Sequence, residues 1–183
     1  MDIRVIEREG IAEAIAEAAQ TFFSRDRAEA ERNFDGHARG DSATLLGYQD
    51  GELVGILTIR WNSNYPPFRE QGIPLIHNIE IKWERRGQGL GAALLTHAER
   101  FVALRTRKVG ICVGIFDAYG PAQRLYVKRG FVPDGRGVCR GHAPLQENET
   151  VRVDHDLLLW LVKDLPAAEA GSAVSAFLPG SRT

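Results

Sequence analysis

Residues Lys82 to Arg100 read KWERRGQGLGAALLTHAER. Gly87, Gly89 and Gly91 alternate with Gln88 and Leu90, Arg85 and Arg86 stand before them, and a helical apolar pattern runs on behind. Glycines at this density weaken regular structure; what they allow is close approach of another backbone or of a phosphate. Successive backbone N–H groups at a glycine-rich helix start form an anion cradle, and the helix dipole adds to it. Arg85 or Arg86 can contribute positive charge there, or remain solvated.

Three uses of the stretch compete. A nucleoside-triphosphate loop of the form G-x-x-x-x-G-K-[S/T] is absent. A dinucleotide fingerprint is satisfied in spacing by Gly87, Gly89 and Ala92, but Lys82 to Arg86 separate it from the preceding strand. Where that fold needs an acidic residue, roughly 20 residues on, stand Arg107 and Lys108. A purely structural use, tight packing of a helix on a sheet, stays open.

The surroundings extend the pattern. Arg86 to Gly91, RGQGLG, resembles the Q/R-x-x-G-x-G/A signature of the GNAT superfamily of acetyl-CoA-dependent N-acetyltransferases. A strand with spaced Ile79 and Ile81 precedes it, and an amphipathic helix and a buried strand follow. Ala122 to Phe131, AQRLYVKRGF, resembles the second signature of the same family, A-x-x-L-Y-x-x-x-G-F. The resemblance runs over residues 40 to 135; the first 40 match in element order only, and the tail after Pro166 not at all.

The resemblance implies acetyl-CoA as co-substrate, no metal, and transfer to a primary amine. Its pyrophosphate would lie on Arg86, Gly87, Gln88, Gly89, Leu90, Gly91 and Ala92. The pantetheine arm would follow the backbone around Ile79 and Ile81, between two splayed strands. Tyr126 matches the tyrosine that commonly protonates the departing thiolate. Many relatives carry a Glu nine residues before the signature arginine, where this chain has His77. Glu80 shares that strand but falls on the opposite face by strand alternation. The base is thus His77, Glu80, or a water chain. Tyr119 stands where relatives have an Asn that bonds the cofactor arm; its hydroxyl replaces that bond, or its ring packs. No cysteine is placed for a covalent acetyl intermediate, so direct transfer in a ternary complex is expected.

Acceptor contacts are expected from the early helices and from the loop RWNSNYPPFREQG, with Trp61, Tyr65 and Phe68 either touching the acceptor or covering a sheet edge. A small-molecule amine is the first expectation. A polypeptide N-terminus or lysine, received by that loop, and an acyl-CoA-binding module with little catalysis are the alternatives.

These side chains need a scaffold, and the rest of the chain supplies its outline. Ile3 to Glu7 alternate as a strand, and Ile11, Ile15 and Phe22 recur at helical spacing. A second short helix and a loop follow. Two apolar runs joined by Asp50-Gly51 read as a hairpin. KVGICVGIF reads as a buried central strand, and PAQRLYVKR as a short helix closed by Gly130 and Phe131. A strand at Phe131-Val132, a long loop holding Cys139, and a last strand from Leu157 to Val162 complete the order. This predicts a single mixed α/β domain over residues 1–165. Its sheet would be mostly antiparallel with one splayed parallel pair, and helices would cover both faces. Residues 166–183 form a tail that is mobile or packed on a partner.

Composition agrees. The 183 residues are 44% hydrophobic and 26% charged, enough for one core. A formal net charge of -1 gives no basic field for nucleic acid, and no apolar run is long enough to span a membrane. Two cysteines make no disulfide framework, and Cys112 sits in an apolar run, so a cytoplasmic protein is expected. A homodimer is compatible with all of this.

Overall fold

The computed structural model describes residues 1–6, 10–22, 28, 31, 32, 34, 36, 37 and 39–167. Strand β1 (Asp2–Ile6) and helix α1 (Ile11–Thr21) precede the hairpin of β2 (Ser42–Gln49) and β3 (Glu52–Arg60). Asp50 (φ 54°) and Gly51 (φ 81°) are both left-handed, the turn that matches the twist of paired strands. Then come α2 (Pro66–Glu70), β4 (Leu75–Ile81), α3 (Leu90–Ala103), β5 (Lys108–Gly114), α4 (Gly120–Lys128), β6 (Val132–Arg140), β7 (Ala143–Pro144) and β8 (Leu157–Asp164). The second helix expected after α1 falls largely outside the described residues, as does the tail from residue 168.

The strands form one sheet in the order β1-β2-β3-β4-β5-β8-β6-β7. Only β4 and β5 run parallel, joined by the crossover through α3; the other neighbours are antiparallel. On one face, Leu94, Leu95, Ala98 and Phe101 of α3 pack on Leu45, Leu57, Ile76 and Ile111, with Tyr126 of α4 alongside. On the other, Ala14, Ala18 and Ala19 of α1 pack on Leu46, Tyr48 and Ile56. Small residues on α1 let it lie close to the sheet. Each fully buried leucine contributes about 1.5–3 kcal/mol. The α3 face thus supports the parallel pair, while α1 supports the β2–β3 hairpin beside it.

Two expectations change. The stretch expected as a loop contains α2, because Pro66 and Pro67 occupy a first helical turn, where proline fits. Beneath it, Tyr65 stacks on Trp160 at 4.0 Å and Phe68 meets Trp160 edge-on. Gly110 lets the ring of Phe68 approach: a Cβ there would lie 2.1 Å from it. The strand expected at Phe131-Val132 continues to Arg140, and Cys139 is buried within it rather than held in a loop. Asp134 to Gly137 bulge out of its pairing with β8, with Gly135 (φ 89°) and Gly137 (φ 74°) left-handed. Turn residues there bend a strand instead of ending it.

Candidate active site

β4 and β5 pair only at Leu75 with Gly110 and Ile76 with Ile111, supported by the Gly110 N–H donating to the Pro74 carbonyl at 2.8 Å. Beyond this point β4 runs on to Ile81 and β5 to Gly114 without a ladder between them. The parted strands present backbone donors and acceptors along a gap, where an extended ligand can complete them. This is the expected splay.

On the β4 side, the gap begins at a bulge. Thr58 of β3 pairs with His77, yet Ile56 pairs with Glu80, so two steps on β3 oppose three on β4. Asn78 absorbs the extra residue in a left-handed conformation (φ 55°), which asparagine tolerates better than most residues. The bulge cancels one alternation. His77 and Glu80 therefore share a face, that of α1, and the expectation that they point oppositely is overturned. Ile79 and Ile81 pack their side chains on the α3 core, leaving their backbone at the gap.

The glycine stretch lies at the upper end of β4. A short turn (Trp83–Arg85) leads to Gly87 (φ 76°) and Gly89 (φ 79°), and no atom lies within 4 Å of where either Cβ would stand. Gly89 is the N-cap of α3, without a side-chain cap, so the first N–H groups of α3 lack an internal partner. The backbone is open on the side where an anion would rest. Gly91 faces Leu125 and Ile81 instead, at ordinary contact distance. Leu90 is buried and Ala92 half-buried, so these two offer backbone only; Gln88 is exposed. Arg85 and Lys82 both bind Glu52. Arg86 donates through Nε to the Ile81 carbonyl at 3.2 Å and lies over the indole of Trp83, 4.6 Å from its centroid. Of the two arginines, Arg86 is the one held at the loop.

On α4, Tyr126 is buried among the core residues, while Leu125 is half-buried and lies against Gly91. Burial raises the Tyr126 phenol, with Cys112 and Tyr119 adding to the shift. It stays protonated and can only donate a proton at neutral pH. Cys112 is half-buried, and burial pushes its thiol up to about 11, which removes its nucleophilicity. Tyr119 packs its ring on Gly114 and Phe116, and its hydroxyl bonds His155 Nδ1 at 3.0 Å. Gln123 ties α4 to the end of β5 through the Gly114 carbonyl at 2.8 Å.

His77 is shifted down to about 4, first by burial and then by Arg60. The imidazole is neutral at physiological pH and its conjugate acid is strong. Of the aromatics expected at the acceptor, Tyr65 and Phe68 are buried beside Trp160. Trp61 closes the far end of β3, against Phe101 and under Arg105. All three cover the core. Two residues that sequence reasoning passed over border the site: Asn78, whose presence inside an apolar strand was a bulge signal, and Trp83, 75% exposed beside the glycine stretch. Among the described residues no cluster of His, Cys, Asp or Glu is placed to hold a metal, and no helix is long and apolar enough to cross a membrane.

A model of the Acetyltransferase (GNAT) family matches residues 9–131, which extends the likeness back into α1. No curated protein matches the chain. Among solved structures, a ribosomal-protein-alanine N-acetyltransferase from Brucella melitensis superposes with a TM-score of 0.60 at 16% identity, over 90% of this chain and 100% of that one. An aminoglycoside 6'-acetyltransferase type Ii gives 0.59 at 17%, over 90% and 97%. An IAA acetyltransferase from Bacillus cereus gives 0.54 at 18%, over 89% and 98%. At these identities the likeness is one of fold.

Proposed function

The chain belongs to the acetyltransferase (GNAT) family, and we propose that it moves an acetyl group from acetyl-CoA to the primary amine of a small molecule, by direct transfer in a ternary complex. One observation carries this reading: the parting of β4 from β5 beside the uncapped, glycine-lined start of α3. Acetyl-CoA supplies a thioester on an extended arm and a pyrophosphate at its far end. The open backbone of Gly87 to Gly89, with Arg86, suits the pyrophosphate, and the edge of β4 at Ile79 and Ile81, which has no ladder to β5, suits the arm.

Transfer needs an amine without its proton, a donor for the tetrahedral oxyanion, and a proton for the thiolate. A free alkylamine titrates near ~10.4, so its proton must be removed. His77 and Glu80, on one face, are the groups that take it. Backbone N–H groups at the Asn78 bulge serve the oxyanion. Tyr126 protonates the thiolate. The acetyl group does not rest on Cys112, whose thiol is held protonated.

The burial of Tyr65 and Phe68 favours a small acceptor over a polypeptide, since the loop that would receive a peptide is a helix packed on the core. The match of Tyr126 to the tyrosine that commonly protonates the thiolate favours an enzyme over an acyl-CoA-binding module. Two cysteines with no pairing role suit a cytoplasmic setting.

The test is release of free thiol from acetyl-CoA against a panel of small amines and peptides. Thiol should appear only with an amine present, and initial-rate lines should intersect when both substrates are varied. Parallel lines would indicate a covalent intermediate. No release with any amine would reject transfer.

A further inference from the structure

Three buried side-chain polar atoms among the described residues have no hydrogen-bond partner: Gln49 Oε1, Trp61 Nε1 and Asn78 Nδ2. Gln49 ends β2 and Trp61 follows β3, so Asn78 alone belongs to a strand of the gap. It stands two residues past Ile76, where the β4–β5 ladder stops. It is also the residue that absorbs the bulge in a left-handed conformation (φ 55°). A backbone demand and a side-chain cost thus fall together at one position.

The backbone demand does not explain the side chain. Glycine adopts the left-handed conformation more freely than asparagine and brings no amide to bury. A carboxamide N–H taken out of water without an acceptor is destabilising, and such groups are rare in folded proteins. The missing acceptor is then an atom of a ligand. An amide N–H suits a carbonyl oxygen, and suits it better as that oxygen gains charge. Of the carbonyls that acetyl-CoA carries, the thioester is the one whose oxygen becomes an anion during transfer.

Resting on the transfer reading above, we propose that the Asn78 carboxamide is a side-chain donor to the acetyl carbonyl, beside the backbone N–H groups of its bulge. As the amine nitrogen bonds the carbonyl carbon, the π pair moves onto oxygen. Asn78 Nδ2 donates a hydrogen bond to that oxygen and keeps its own proton. The pair returns when the C–S bond breaks and the thiolate leaves.

Two variants test this: Asn78→Gly, which keeps the bulge conformation, and the near-isosteric Asn78→Asp, which replaces the donor by an acceptor. Calorimetry compares acetyl-CoA with coenzyme A, which differ by the acetyl group alone. Asn78→Gly should weaken acetyl-CoA about three- to ten-fold and leave coenzyme A unchanged. The free variant should melt no lower than wild type. Its kcat should fall roughly a hundred-fold, and that of Asn78→Asp further, because a carboxylate opposes the oxyanion. Equal weakening of both ligands overturns the proposal and assigns the amide to the cofactor arm. Weakening of neither, a melting point well below wild type for Asn78→Gly, or wild-type kcat in Asn78→Asp also overturns it. The two readings fail separately. If the wild type releases no thiol with any amine, transfer falls and the difference between acetyl-CoA and coenzyme A alone decides the role of Asn78. If the wild type turns over and Asn78→Gly leaves that difference unchanged, transfer stands and this assignment falls.

Discussion

The Phe131 N–H donates to the Tyr126 carbonyl at 3.0 Å, and the two rings stand 6.0 Å apart. With Gly130 left-handed (φ 85°) and its N–H on the Val127 carbonyl at 3.0 Å, this closes the end of α4 through backbone and ring contacts alone. The Tyr126 hydroxyl takes no part in it.

Tyr126→Phe should therefore keep the fold. If the hydroxyl protonates the leaving thiolate, kcat should fall by roughly ten- to a thousand-fold while the Kd of acetyl-CoA changes little. Steady-state rates, calorimetry and a melting curve check the three parts. Full kcat on a genuine acceptor would leave Tyr126 a packing role.

Acidity separates His77 from other bases. With its folded value down to about 4, His77 is a proton acceptor at every pH above that. The acidic limb of kcat/KM should then lie near 4, far below the ordinary ~6.5 of histidine, and His77→Gln should remove it. A limb unmoved in the variant assigns it to Glu80 or to the amine.

The same shift sets a stability window. Between ~6.5 and about 4 the unfolded chain binds a proton at His77 that the folded chain does not. Stability is fully retained above this window and declines as pH falls through it, by up to about 3 kcal/mol. Urea titrations at pH 7 and pH 4.5 should show a smaller loss for His77→Gln than for wild type.

Gly89 carries two separable demands. Its left-handed backbone (φ 79°) strains any side chain, while the space around a Cβ is open. Gly89→Ala should cost about 1 kcal/mol of stability and weaken coenzyme A mildly. Gly89→Glu adds a carboxylate where the pyrophosphate is assigned and should abolish binding. Equal affinities for the two variants would refute the cradle.

Glu99 joins three elements away from the gap. It accepts two bonds from Arg129, at 2.9 and 2.8 Å, and one from Lys163 at 2.7 Å, tying α3 to the end of α4 and to β8. Glu99→Gln leaves two part-buried cations without their counter-charge. A loss of roughly 2 kcal/mol is expected, below the full buried-pair value because both cations reach solvent. Denaturant midpoints measure it.

What could be read from the chain was whatever rested on local chemistry. Asp50-Gly51 announces its hairpin because both residues accept a left-handed turn. Gly130-Phe131 announces the end of α4 for the same reason. The glycine stretch is legible because side chains are missing from it. Other features depend on partners distant in sequence. The shared face of His77 and Glu80 requires knowing that β3 skips a residue against β4. The burial of Tyr65 requires Trp160, and the extension of β6 through Asp134 to Gly137 requires β8. The acidity of His77 follows from its burial and from Arg60 across the sheet, neither of which strand alternation reveals.

The brief contact between β4 and β5 divides the sheet at a place that also divides the chain. Strands β1 to β4 come from residues 2–81 and strands β5 to β8 from residues 108–164, so each half of the sheet is contiguous in sequence. Two residue pairs and the helices stitch the halves together. A molecule lying in the gap acts as a missing strand. It should slow amide exchange along residues 77–81 and 112–114 and tie two separately closed ladders into one cooperative unit. Occupancy of the gap and mechanical continuity of the sheet are then one property, read out by any probe that pulls the halves apart.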